Sequence, residues 1–330
     1  MSEKLQFIKM EGTGNDYVYV DCFDQYVLNP QAFSRRVSDR HFGIGSDGVI
    51  LIRPSKRADC FMDIYNADGS RGRTCGNGLR CTAMYLWKKC KETHEEFQIE
   101  TLSGISRARV WRLTEKKCWV SVTMGRAFCR ETLISCSDVG RLLPEGVFVD
   151  RMQLVDTGNL HCVIMLKNCR KDSLPEAIIE KIDMKAIGTF FENTPEFPLG
   201  INVEVCMNTE NTPWVVRARV WERGSGETMA CGSGACAIYR AVKKWYGPVV
   251  SVSSAPEAAP GLLPGSDGPA AALLPASSGP AAALLSNSSG PAAAGAGCCI
   301  FMPGGRLSVW ETDGELMLGG EAVRVFEGCI

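Results

Sequence analysis

The chain has 330 residues, 45% hydrophobic and 22% charged, an ordinary globular balance with enough length for two domains. Its 36 basic and 37 acidic residues are well mixed, so no basic block marks a nucleic-acid partner. No apolar run approaches the roughly 20 residues of a membrane helix, and the start MSEKLQFIKM has neither a signal-peptide core nor a transit pattern, so a cytoplasmic protein is expected.

In chain order, FIKM (7–10), YVYVDC (17–22) and GVILIR (48–53) are short β-rich runs separated by Gly and Asp clusters. GNGLRCTAMYLWKKC (76–90) predicts an apolar helix with Lys88 and Lys89 in its last turn, where the macrodipole favours cations. FQIETLSGISRARVWR (97–112) and CWVSVTM (118–124) then read as paired strands. One helix among strands is therefore expected for residues 1–125. Residues 126–250 repeat the pattern. MQLVDTGN (152–159), HCVIML (161–166), NVEVCM (202–207) and WVVRARVWER (214–223) are strand-like. GSGACAIYRAVKKWYGP (232–248) predicts a helix closed by Gly247-Pro248. Each half is a set of strands feeding one glycine-led helix, the outline of a duplicated fold.

Residues 255–297 break the pattern. LLPGSDGPAAA, LLPASSGPAAA and LLSNSSGPAAA begin at Leu262, Leu273 and Leu284, an eleven-residue repeat. A Gly-Pro in every unit excludes a continuous helix, and charge is almost absent. A disordered insertion in a surface loop is expected. Strands resume at CCIFMPGG (298–305) and RLSVWE (306–311), and the chain ends with VRVFEGCI.

Sixteen cysteines are scattered along the chain. Without an export signal they are expected to be reduced, and with no C-x2-C pair no structural zinc is expected. About fourteen read as small buried apolar residues. The other two stand in matching frames, TCGNGLRC (74–81) and ACGSGAC (230–236). Cys75 and Cys231 each precede Gly-x-Gly at a predicted helix start, where unpaired N–H groups carry partial positive charge. A lowered thiol pKa is expected there, together with a site for a carboxylate or phosphate.

Several chemistries fit poorly. Neither frame has the lysine of a phosphate-binding loop. A dithiol redox pair uses C-x-x-C, and a single-cysteine hydrolase would use one such frame rather than two. Inversion of an α-carbon suits the duplication better. One group removes a proton from one face while a second returns one to the other, and helix N-termini favour the charge that develops on the α-carboxylate.

FIKMEGTGNDYV (7–18), NADGSRGRTCGNGLRC (66–81), GNLH (158–161) and ERGSGETMACGSGA (222–235) resemble, in order, the signature blocks of the diaminopimelate epimerase family. The resemblance covers all of the chain but the insertion. It implies an α+β fold of two pseudo-symmetric domains, each a β-barrel-like sheet around a central helix, with the active site in the interdomain cleft. The domains would be 1–125, joined by a returning segment 317–330, and 126–316. It makes Cys75 and Cys231 the two bases, assisted by His161 and Glu222. Gly76, Asn77, Gly232 and Ser233 would give N–H groups to the reacting carboxylate. Asn15, Asn66, Asn159 and Asn202 would contact substrate, Glu222 would meet an ammonium group, and Arg223 would pair with the distal carboxylate. No cofactor and no metal are implied. The partner would be a small-molecule amino acid, with neither nucleic acid nor membrane, and a homodimer is left open.

Leu160 stands where family members usually have proline, Gly48 where many have a substrate-contacting glutamine, and Arg71 and Arg73 add positive charge beside Cys75. A proline or hydroxyproline racemase using the same cysteine pair is an alternative, although a ring amino acid has no distal carboxylate for Arg223. A non-catalytic relative acting through the insertion is another. Taken alone, Asn66-Ala-Asp-Gly is a turn, Glu222 and Arg223 a solvated pair, and His161 a satisfied buried imidazole.

Overall fold

The computed structural model describes residues 4–131, 134–169, 174–209, 212–248 and 297–330. The expected insertion lies outside the described residues except for Gly297.

A tight hairpin through Thr13 and Gly14, both at positive φ, joins β1 (Gln6–Gly12) to β2 (Asn15–Asp21). Next comes α1 (Pro30–Ser38), started by the Asn29 side chain accepting from the Ala32 N–H and by proline at its first turn. β3 (Gly48–Arg53) lies parallel to β2, followed by β4 (Cys60–Asn66) and the short β5 (Arg71–Gly72). The central α2 (Gly76–Lys89) leads to β6 (Glu96–Thr101), β7 (Gly104–Arg112) and β8 (Lys117–Gly125).

After β9 (Phe128–Arg130) and α3 (Cys136–Gly140), the order repeats with β10 (Val147–Asp156) and β11 (Leu160–Asn168). Two helices, α4 (Pro175–Ile179) and α5 (Met184–Glu192), take the place of α1. β12 (Asn202–Thr209), β13 (Thr212–Glu222), β14 (Gly226–Thr228) and α6 (Gly232–Tyr246) follow. β15 (Cys298–Met302), β16 (Gly305–Thr312) and β17 (Glu315–Cys329) finish the chain.

The pairing shows the duplication. β2 runs parallel to β3 and β4 to β6, as β11 runs parallel to β12 and β13 to β15. In the first half the ring β1–β2–β3–β4–β6–β7–β8–β17 closes on itself, because the long β17 pairs with both β8 and β1. In the second half β9–β10–β11–β12–β13–β15–β16–β17 form the matching series. The α+β architecture expected from the sequence is the one observed. We propose dividing the chain near residue 125, between β8 and β9. β17 would then be shared, pairing β16 with its first part and β1 with its last.

Both central helices are lined by one continuous core. Leu79, Cys81 and Met84 of α2 and Ala235, Ile238 and Val242 of α6 are essentially inaccessible. Truncating a side chain such as Ile238 to alanine costs about 2–5 kcal/mol by transfer and cavity terms.

The expectation of a single helix in residues 1–125 is corrected by α1, and α3, α4 and α5 add helices to the second half. These are short. α1 packs only one side against the sheet, burying Ser34, Val37 and Ser38, so its apolar periodicity is faint. No helix among the described residues is long and apolar enough to cross a membrane.

Candidate active site

The β-strands converge on a cleft of about 1810 Å³ between the starts of α2 and α6. Cys75 caps α2 in extended conformation, its sulfur accepting from the Gly78 N–H at 3.4 Å. Cys231 caps α6 in the same way, accepting from the Gly234 N–H at 3.4 Å. The two helix starts touch. A Cβ on Gly76 or on Gly232 would meet Leu318 Cδ2 at 2.8 Å, and one on Gly232 would also lie 3.4 Å from Gly76 Cα. A side chain at either glycine would have to displace Leu318 where the two N-termini meet. Asn77 joins the halves, its amide donating to the Ala230 carbonyl at 3.3 Å and to Asn15 Oδ1 at 3.4 Å.

The cleft is lined by Asn15, Asn66, Cys75, Gly76, Asn77, Asn159, Asn202, Glu222, Arg223, Cys231, Gly232 and Ser233, all named from the sequence. His161 is fully buried behind it, reaching Asn159 Oδ1 at 3.2 Å through Nε2.

Each asparagine is held. Asn15 donates to Asp47 at 2.7 Å, which turns its Oδ1 toward the Cys75 sulfur at 3.5 Å. Asp47 in turn pairs with Arg40, which also pairs with Asp16. Asn66 donates to Ser70 Oγ in the expected turn. Asn159 is fixed by Thr157 Oγ1 at 3.0 Å, and Leu160 packs on the second core, so the hairpin is braced without proline. Asn202 accepts from the Arg223 N–H at 2.9 Å.

Glu222 and Arg223 are not a pair with each other. Glu222 accepts from Thr228 Oγ1, while Arg223 is exposed and donates from Nη1 to the Leu199 carbonyl at 2.6 Å. Gly200, at φ +73°, leaves room for the Arg223 stem, which a Cβ would meet at 2.5 Å. Gly48 also has a steric reason: a Cβ there would lie 2.2 Å from the Tyr65 carbonyl, so no glutamine fits. Arg71 is tied to Asp63 at 2.7 Å, a carboxylate it shares with Arg53.

The expected low thiol pKa is corrected. Desolvation pushes Cys75 up, outweighing the N–H groups of Gly78 and Asn77 that pull it down. Cys231 is pushed well above 9.0 by desolvation and by the negative charges of Glu222 and Glu204. Burial likewise raises Glu222, against hydrogen bonds from Thr228 and Cys231. The helix N-termini reduce the shifts of the two cysteines without reversing them, so both are held toward the protonated thiol.

Sequence reasoning missed Glu204, Tyr17, Asp47 and Arg80. Glu204 is fully buried with Oε1 at 2.7 Å from His161 Nδ1. Tyr17, beside Cys75, lines the cleft from β2. Arg80 is a fully buried cation behind Cys75. Glu204 left one signal, a carboxylate inside the otherwise apolar VEVCM (203–207). The expectation for the remaining cysteines is corrected in part: all are free, but Cys136, Cys169 and Cys329 are exposed, and Cys90, Cys129 and Cys299 are half-buried.

Two matching halves that each bring a cap thiol to one cleft have the fold of racemase- and epimerase-type proteins. Among solved structures, a phenazine biosynthesis protein of the PhzF family from Bacillus anthracis aligns with TM-score 0.66 and 14% identity over 99% of both chains. A hydroxyproline epimerase from Agrobacterium vitis aligns with TM-score 0.55 and 12% identity over 100% of this chain and 91% of its own. At such identities the likeness is one of fold. The sequence is more specific. The diaminopimelate epimerase pattern matches residues 7–129 and 153–248. Diaminopimelate epimerases of Acetivibrio thermocellus and Methanococcus maripaludis are 39% and 38% identical over 239 residues, covering 71% of this chain and 81% and 82% of theirs. The chain belongs to the diaminopimelate epimerase family.

Proposed function

We propose that this chain converts LL-diaminopimelate to the meso isomer by inverting one α-carbon, a step of lysine biosynthesis carried out without pyridoxal phosphate. One observation carries the reading: a thiol from each half caps a helix, and the two helix starts meet across one cleft. Membership of the family supplies the substrate.

Cys75 and Cys231 are the two acid/bases, one as thiolate taking the α-proton and the other as thiol returning one from the opposite face. The N–H groups of Gly76, Asn77, Gly232 and Ser233 receive the α-carboxylate, where charge grows as the proton leaves. Asn15, Asn66, Asn159 and Asn202 hold the polar backbone of the substrate. Arg223 leaves the Leu199 carbonyl for the distal carboxylate, a match for its planar fork. Glu222 meets an ammonium group, and with His161 assists deprotonation of Cys231. The substrate's ammonium brings a positive charge beside the thiols, which favours the thiolate in the complex.

Proton NMR in D2O tests the proposal. The α-proton signal of LL-diaminopimelate should disappear with enzyme while that of L-proline persists. Exchange of proline alone would assign another substrate, and exchange of neither would remove the activity. We further propose a cytoplasmic location. Light scattering decides the dimer, which predicts a species of twice the chain mass.

A further inference from the structure

Glu204 sits on β12 with its side chain, like that of His161, fully buried. Parallel pairing of β11 and β12 places His161 beside Asn202 and Val163 beside Glu204, so the carboxylate reaches back along the strand to the ring. Its Oε1 lies 2.7 Å from His161 Nδ1, and the other ring nitrogen is 3.2 Å from Asn159 at the cleft wall. The same Oε1 lies beneath the first turn of α6, where a Cβ on Gly234 would meet it at 2.5 Å. Oε2 is buried with no hydrogen-bond partner among the described residues.

A carboxylate is not needed here for packing. In the first half Tyr17 lies beside Gly48, as His161 lies beside Asn202, and two residues further along β3 the counterpart of Glu204 is Ile50. Ile50 packs beneath Gly78 as Glu204 packs beneath Gly234, with Cδ1 2.7 Å from a Cβ placed there. The fold thus accepts an aliphatic side chain at this position. Burying a carboxylate instead carries a desolvation cost that packing does not return.

We infer that Glu204 is a positioning residue for His161. It accepts the Nδ1–H, which fixes the ring orientation and leaves Nε2 as an acceptor at the cleft wall, toward which the Asn159 side-chain amide then presents its Nδ2–H. Among the described residues the first half has no such device: Tyr17 holds the position of His161 and Ile50 that of Glu204, so an oriented imidazole belongs to the second half alone. This role rests on Cys231 being one of the two acid/bases.

The chain has three histidines, and His41 and His94 are exposed, so the buried ring is separable by 15N NMR of histidine-labelled protein. The wild type should show a buried ring protonated at Nδ1. Glu204→Gln, which keeps an acceptor oxygen, should retain that signature and most of kcat. Glu204→Leu, which gives the second half an aliphatic side chain like that of Ile50, should lose the signature and lower kcat by about 10- to 100-fold with KM little changed. A wild-type ring without a proton on Nδ1, or a Glu204→Leu variant with wild-type kcat, would overturn the inference. If the wild type had no epimerase activity, the proposed reaction would fail while the ring signature still decided what Glu204 does.

Discussion

The surroundings of Cys75 and Cys231 differ in charge although their backbones match. Both thiols cap a helix, accept from the N–H three residues on and sit over a glycine. Behind Cys75 are Tyr17, Ile50 and the buried cation Arg80; behind Cys231 is Glu204, which is hydrogen-bonded to His161; Glu222 acts on both thiols. Desolvation and Glu222 raise both thiols; Arg80 offsets part of the rise at Cys75, whereas Glu204 adds to it at Cys231. Duplication thus supplied two equivalent scaffolds, and side chains one layer back made them chemically unequal. Cys75 is half-buried and Cys231 buried, so the two thiols also differ in access from the cleft.

The most severe way to break the comparison is to remove either sulfur. Cys75→Ala and Cys231→Ala should each lower kcat about 10³-fold or more, read in the NMR assay. A single variant with near wild-type rate would show that one thiol suffices. Arg223→Ala should be milder, costing about 10- to 100-fold in kcat/KM through loss of a charged hydrogen-bonding partner, and mainly in KM. An unchanged KM would remove the distal-carboxylate role.

Gly234→Ala sharpens the comparison through stability. Its Cβ would meet Glu204 Oε1 at 2.5 Å, while that of Gly78→Ala would meet Ile50 Cδ1 at 2.7 Å. Overpacking of about 1–3 kcal/mol is expected at each, measured by urea denaturation. Only Gly234→Ala should also disturb the histidine ring spectrum.

The smallest effect is an order of labelling. Because both thiol pKa values are raised, the thiolate fraction at neutral pH is low and grows as pH rises toward and past 9.0. Alkylation mapped by mass spectrometry should therefore accelerate with pH at both, reaching the half-buried Cys75 before the buried Cys231. The reverse order would contradict the difference in access between the two halves.

The sequence exposed the duplication because each half repeats a glycine-led helix after alternating strands, and the twin frames named both thiols. TGN at 13–15 and at 157–159 marks the two matching hairpins that carry Asn15 and Asn159. What stayed hidden depends on distance in space. Asp47 reaches Asn15 across parallel strands, and Glu204 reaches His161 across 43 positions, neither by any local spacing. The direction of the thiol pKa shifts is hidden for the same reason. A helix start is visible in sequence, whereas the desolvation that outweighs its dipole is a property of the packed cleft.

The central claim, two thiols acting on opposite faces of one α-carbon, is tested most directly by following deuterium in the first turnovers of LL-diaminopimelate in D2O. The account predicts meso product carrying solvent deuterium at the inverted carbon while recovered LL substrate keeps its proton. Deuterium in recovered substrate from the outset, or product that retains the original proton, would contradict it.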